Sequence, residues 1–128
     1  MTGLPVPVRD LRVHYHRINC AGRFAHFTAD FEPPVEGGVG EFLSTAPQEE
    51  LPDEFAGPLW TGIRQGLDGT SARVTVIGGR RHPTDSCGHS YLIAGYLAGR
   101  AALVVAGLLP PEEAPPARDV TWSGQPVA

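Results

Sequence analysis

Residues 73–107 read R-V-T-V-I-G-G-R-R-H-P-T-D-S-C-G-H-S-Y-L-I-A-G-Y-L-A-G-R-A-A-L-V-V-A-G. The β-branched run at the start is typical of a strand, and the glycine pair after it is typical of a turn. A polar loop follows, and Asp85 or Ser86 is a good amino-terminal cap for a long helix that ends near Gly107. The stretch therefore predicts a strand, a polar loop and a buried helix in that order.

The predicted helix is the most apolar part of the chain. Between Tyr91 and Leu109 the only charged residue is Arg100, so a membrane span has to be weighed. Gly95 and Gly99 lower both hydrophobicity and helix propensity, and the arginine would be costly near the centre of a bilayer. A helix buried against a sheet explains the pattern better, with the two glycines permitting close approach of another backbone. We therefore expect no membrane partner.

The rest of the chain supplies further strands and a second helix. Leu11–Ile18 alternates apolar and polar residues, and Phe24–Phe31 is typical of the second strand of a hairpin. Glu41–Leu43 is expected to be a short edge strand. Apolar residues recur every fourth position over Phe55–Leu67, which predicts a helix with Pro58 in its first turn. These elements predict an α+β fold, a single sheet of about four strands with two helices packed on one face.

The length of 128 residues predicts one domain, over 1–109, followed by a proline-rich tail over 110–128. All ten basic residues are arginines, and the absence of lysine excludes a Walker A phosphate loop, a Schiff base and a pyridoxal-phosphate linkage. The amino terminus does not resemble a signal peptide, and the two cysteines, Cys20 and Cys87, are too few for a secreted disulfide scaffold. A cytoplasmic location is expected.

The charges are unevenly distributed along the chain. The net charge of −4 argues against a polycation that coats nucleic acid. However, the first 29 residues contain four arginines and a single acid, which makes them one basic group. Arg73, Arg80 and Arg81 form a second basic group. Between Asp30 and Asp68 there are nine acids and a single arginine. If the two basic groups meet in space, the domain has one basic pole on an acidic body.

The polar loop also contains residue types used in metal binding and catalysis. Cys87 and His89, with His82 and Asp85, have the chemistry of zinc ligands, but their spacing is not usual for a zinc site. His82 with Asp85 and Ser86 or Cys87 offers a base and a nucleophile, but such close sequence neighbours rarely form a triad. We therefore predict no catalytic residues, no resident metal and no cofactor.

Several motifs follow one another in order between Pro5 and Leu109. They are a glycine-containing turn before an aromatic strand, an acid-x-x-Pro element, a Glu-Phe segment, a Pro-x-Glu-aromatic run into a helix with Gly-Ile, and a glycine, histidine and Asp-Ser before the last helix. In this chain the glycine-containing turn and aromatic strand are Ala21–Phe27, the acid-x-x-Pro element is Asp30–Pro33, and the Glu-Phe segment is Glu41-Phe42. The run into the helix is Pro52–Phe55 with Gly62-Ile63. The residues before the last helix are Gly79 and His82 with Asp85-Ser86. With this order and spacing, the chain resembles the fourth domain of translation elongation factor G and of related ribosomal protection proteins.

The resemblance implies a fold with an unusual left-handed β-α-β crossover, an exception to the general rule. In that family the domain catalyses nothing; it enters the decoding site of the small ribosomal subunit and imitates the anticodon arm of a transfer RNA. Its contacts come from the hairpin turn and from the loop before the last helix, which correspond here to Gly22, Arg23, Arg81 and His82. Arg80 adds a further charge to that loop, and arginines can pair with phosphate and stack on unpaired bases.

The chain also departs from the family. No segment resembles a GTP-binding domain, nothing after Leu109 resembles the fifth domain, and the first hairpin looks shortened. The resemblance thus predicts a free-standing, non-enzymatic relative that binds the ribosome or structured RNA without GTP. An alternative is a repurposed module that binds a protein or a small ligand in a specialised pathway. A third hypothesis is a metal-binding protein that uses Cys87 and His89.

Overall fold

A computed structural model describes residues 3–17, 24–35, 38, 40–80 and 87–123. These residues contain five strands and two α-helices. They are β1 (Val8–His16), β2 (Phe24–Glu32), β3 (Glu41–Ser44), α1 (Asp53–Leu67), β4 (Arg73–Arg80), α2 (Gly88–Val105) and β5 (Val120–Thr121). The strands form one mixed sheet, and the predicted α+β fold is confirmed.

The strand order in the sheet is β3-β4-β2-β1-β5. β2 is antiparallel to both β1 and β4, whereas β3 is parallel to β4 and is joined to it through α1. The end of β1, the start of β2 and the end of β4 consequently lie at the same end of the sheet. His16 pairs with Phe24, and His26 pairs with Arg80. We call this end, marked by His16, Phe24 and Arg80, the hairpin end.

The two faces of the sheet differ as the alternation in β1 predicts. Leu11, Val13 and Tyr15 are buried in the core, and the helices pack on this side, with α2 against β1 and β2 and α1 against α2. Arg12 and His16 alternate with these residues and are exposed. We call the side of the sheet that carries them the open face. Among the residues that the structure describes, no helix is both long enough and apolar enough to cross a membrane.

Glycines bring the two helices into close contact. A Cβ atom added at Gly99 would lie 2.6 Å from the carbonyl oxygen of Ile63, and one at Gly62 would collide with the carbonyl of Leu92. Because real Cβ atoms do not approach backbone oxygens so closely, larger side chains would force the helices apart. The close backbone approach expected at Gly99 is confirmed.

The helix starts differ from the sequence prediction. Pro58 lies inside α1 rather than in its first turn, because the helix begins at Asp53, where Gln48 both donates to the carboxylate and accepts from the backbone N–H. The α2 helix begins at Gly88, so the predicted cap at Asp85 or Ser86 is wrong. Cys87 holds the cap position in an extended conformation, and its Sγ lies 3.4 Å from Ser90 Oγ.

The described part of the segment expected to be a tail, 110–123, packs against the domain. A short 3-10 helix at Pro111–Glu113 leads to β5, which pairs antiparallel with β1. Val120 is fully buried, and the carboxylate of Asp119 accepts two hydrogen bonds from Arg17 at 2.8 and 2.9 Å. The sheet thereby gains a fifth strand. With two residues, this strand is too short to be recognised from an alternation of apolar and polar residues in the sequence.

Candidate nucleic-acid interface

The predicted contact residues belong to two segments that leave from the hairpin end. Arg80 is the last residue of β4; Gly22, Arg23, Arg81 and His82 lie outside the described residues. His16 pairs with Phe24, and Arg80 pairs with His26, so these strand ends lie together. The described residues that flank 18–23 and the one that precedes 81–86 are therefore neighbours in space.

A cluster of aromatic and basic side chains lies on the open face at this end. The ring of Phe24 stacks on that of His26, with centroids 4.2 Å apart and an interplanar angle of 4°. His16 meets Phe24 edge to face at 5.2 Å, and the guanidinium carbon of Arg80 lies 5.8 Å from the Phe24 centroid. His14 completes the group at 6.2 Å from His26. We call these five residues the histidine cluster.

The register of the strands produces this cluster. His14 pairs with His26 and His16 pairs with Phe24 across β1 and β2, while Arg80 pairs with His26 across β2 and β4. Side chains of directly opposed residues lie on the same face of a sheet, within reach of one another. The alternation of β1 placed His14 and His16 on one face, but the sequence did not indicate that Phe24, His26 and Arg80 would join them.

His26 is the most strongly perturbed titratable group of the cluster. Burial, followed by the nearby charges of His14, Arg80 and His16, lowers the pKa of His26 from its ordinary 6.5 to about 4. Its Nε2 atom is buried and has no hydrogen-bond partner among the described residues. At neutral pH the ring is therefore uncharged and contacts Phe24 as an aromatic surface.

Two ion pairs of the open face lie away from the histidine cluster. Arg9 pairs with Glu32 at 2.9 Å, and Arg12 pairs with Asp10 at 3.2 Å, toward the opposite end of the sheet. In the part of the chain that the structure describes, Arg80 forms no ion pair. Arg80 is thus not held in an ion pair there, although a carboxylate lies against the preceding residue, where Glu50 Oε1 accepts from the backbone N–H of Gly79 at 3.1 Å.

Of the residues in the metal-binding hypothesis, the structure describes Cys87 and His89 alone. Cys87 is partly buried at the start of α2, and His89 is exposed on its first turn. Over 3–17, 24–35, 38, 40–80 and 87–123, no group of three or more His, Cys, Asp and Glu side chains could hold a metal ion. Cys20 lies outside these residues, as do the candidate catalytic residues His82, Asp85 and Ser86.

A second concave region lies at the opposite end of the sheet. It has a volume of about 390 Å³ and is lined by Gly40, Trp60, Arg64 and Ser71, among others. The guanidinium carbon of Arg64 lies 5.3 Å from the centroid of the Trp60 ring system, one helical turn away on α1. This groove has both an aromatic wall and a cation, and it shares no residue with the histidine cluster.

No protein-family model matches the chain. Over 111 residues, 75% of this chain, it is 31% identical to elongation factor G 2 of Streptomyces coelicolor, and over 90 residues, 64% of the chain, it is 28% identical to elongation factor G 2 of Desulfotalea psychrophila. The alignments cover 16% and 13% of those proteins, so the chain spans about a sixth or less of their length. The chain is therefore similar to a segment of elongation factor G, as its motifs indicated.

Proposed function

We propose that this domain is a counterpart of the fourth domain of elongation factor G and that its hairpin end binds the ribosome or structured RNA. The observation that carries the proposal is the strand register, which brings the residues flanking both basic segments to one end of the sheet. The similarity to a segment of elongation factor G supports a role connected with translation. In this role the hairpin end acts as an imitation of a transfer RNA arm, without catalysis, GTP or cofactor.

The chemistry of the proposed contact residues suits an RNA backbone. The guanidinium groups of Arg23, Arg80 and Arg81 can each donate two parallel hydrogen bonds to a phosphate. His82 can donate or stack, and Gly22 allows a backbone to approach closely. The acids between Asp30 and Asp68 would repel phosphates from the rest of the body, so the charge distribution favours an end-on approach. The site of action under this proposal is the cytoplasm.

Co-sedimentation with purified ribosomes tests the proposal. The protein is mixed with ribosomes at low and at moderate salt and is pelleted through a sucrose cushion, with the protein alone as the control. The expected result is pelleting with ribosomes that weakens as the salt concentration rises, because phosphate contacts release counterions. Absence of ribosome-dependent pelleting at both salt concentrations would refute the proposal.

A second candidate function is a module that binds a small ligand in a specialised pathway. The groove beside Trp60 and Arg64 favours it, because an aromatic wall next to a cation fits a planar anionic molecule. The two candidates predict different sensitivities to mutation. Full biological activity of an Arg80→Ala, Arg81→Ala double variant, with loss of activity in Arg64→Ala, would favour the groove.

A further inference from the structure

We infer that an unpaired nucleobase stacks on the open face of the hairpin end, against His16 and Arg80, so that the preferred RNA is single-stranded or looped rather than duplex. This inference rests on the proposed function, since it names the class of RNA that the same end of the sheet recognises. It concerns the surface of the sheet itself rather than the flanking loops.

The histidine cluster is built as a supported platform. Phe24 is only 5% exposed and lies at the centre, with His26 stacked on it, His16 against its edge and Arg80 beside its ring. His16 and Arg80 are exposed. The buried ring thus fixes the positions of two planar groups that solvent, or a ligand, can reach. A platform held in advance loses less conformational entropy when a base binds.

The charges of the cluster favour a nucleotide over a neutral aromatic ligand. Arg80 is cationic, and no carboxylate pairs with it among the described residues. A guanidinium can stack on a base while it attracts the adjoining phosphate. His26, whose ring is neutral at physiological pH, supports Phe24 without adding a buried charge. The cluster therefore combines the two features of single-strand binding sites, aromatic planes and positive charge.

The same features discriminate between single strands and duplexes. Bases in an A-form helix are stacked on one another, and their faces are not available to protein side chains. A site that binds duplex through phosphates needs arginines but gains nothing from a histidine platform. Stacking should therefore contribute to the affinity for single strands alone.

A fluorescent RNA provides the test. The probe is a short single-stranded oligouridine with one central 2-aminopurine, and the comparison is the same strand in a duplex. We expect the fluorescence of the single-strand probe to fall on binding. His16→Ala should weaken single-strand affinity by about ten-fold, the loss typical of removing one stacking partner. His16→Phe, which keeps a ring, should retain the affinity, and Arg73→Ala at the far end of β4 is the control.

The outcomes separate this inference from the proposed function. Equal binding of single strand and duplex, or unchanged single-strand affinity in correctly folded His16→Ala, would overturn the inference and leave ribosome binding intact. Failure of the wild-type protein to bind either RNA or ribosomes would overturn both. Thermal unfolding of each variant, followed by circular dichroism, establishes that the mutated protein is folded.

Discussion

The guanidinium of Arg80, the last residue of β4, lies over the ring of Phe24, the first residue of β2, at 5.8 Å from its centroid. This contact links the strands that flank the two basic segments of the sequence. Because Phe24 also stacks on His26, the position of a surface cation depends on a buried aromatic pair. Stability and binding at this end of the sheet should consequently respond to the same residues.

The unfolding free energy should decrease between pH 6.5 and pH 4 because of His26. Burial lowers its pKa from 6.5 to about 4, with His14, Arg80 and His16 adding to the shift. In this window the unfolded chain binds a proton that the folded chain excludes, so acid favours unfolding and the stabilisation is complete only above pH 6.5. Urea denaturation at pH 7, 6, 5 and 4.5 measures the slope.

The matched variants for this prediction are His26→Phe and His89→Ala. Replacing His26 by an uncharged ring should flatten the pH dependence, and His89→Ala, which removes an exposed histidine outside the histidine cluster, is the control. The Asp119 carboxyl does not interfere, because its hydrogen bond with Arg17 lowers its pKa and its stabilisation is lost only below the ordinary value of 3.8. Identical slopes for wild type and His26→Phe would contradict the account.

Asp119→Ala should lower the free energy of unfolding by about 2 kcal/mol, since it removes a charge-assisted pair of hydrogen bonds. The Asp119 side chain is 2% exposed and that of Arg17 is 31% exposed. The Arg12–Asp10 pair is the control, with exposures of 60% and 53%. Arg12→Ala should change stability by no more than about 0.5 kcal/mol. Equal effects of the two substitutions in urea denaturation would refute the idea that the Arg17–Asp119 pair anchors β5.

Two glycines of α1 should respond in opposite directions to alanine. Gly57 has no neighbouring atom within 4 Å of an added Cβ, so Gly57→Ala should stabilise the protein by about 0.5–1 kcal/mol through helix propensity. At Gly62 the added methyl would collide with the backbone of Leu92, so Gly62→Ala should destabilise by about 1–3 kcal/mol despite the same gain in propensity. Melting temperatures test the signs; stabilisation by both would contradict the helix packing.

The features that could be predicted follow from the spacing of apolar residues along a strand or helix and from its composition. The alternation of β1 located its two faces, and Gly99 within an apolar helix indicated close packing of α2. Both inferences depend on residues within one element, where the repeat itself determines which side is buried. The single basic pole expected from the arginine distribution is not found, because Arg9 and Arg73 lie toward the end of the sheet opposite Arg80.

The features that could not be predicted depend on contacts between distant elements. The stacking of Phe24 on His26 and its neighbour Arg80 needs the strand register, which a single sequence does not specify. The two residues of β5 are too few for a pattern, and their position depends on Asp119 meeting Arg17. Pro58 is tolerated inside α1 although local propensity argues against it, because tertiary context overrides propensity.

Binding to the small ribosomal subunit, compared between two triple variants of equal charge, tests the central claim most directly. Arg23, Arg80 and Arg81 are replaced by alanine in one variant, and Arg9, Arg64 and Arg73, toward the other end of the sheet, in the second. The first variant is expected to lose at least about ten-fold in affinity. Its plot of log association constant against log salt concentration should also be less steep, by about 2–3 in slope, which is about one for each phosphate that the variant no longer neutralises. The second should bind like the wild type. Equal weakening of both variants, or no weakening of the first, would contradict a binding site at the hairpin end.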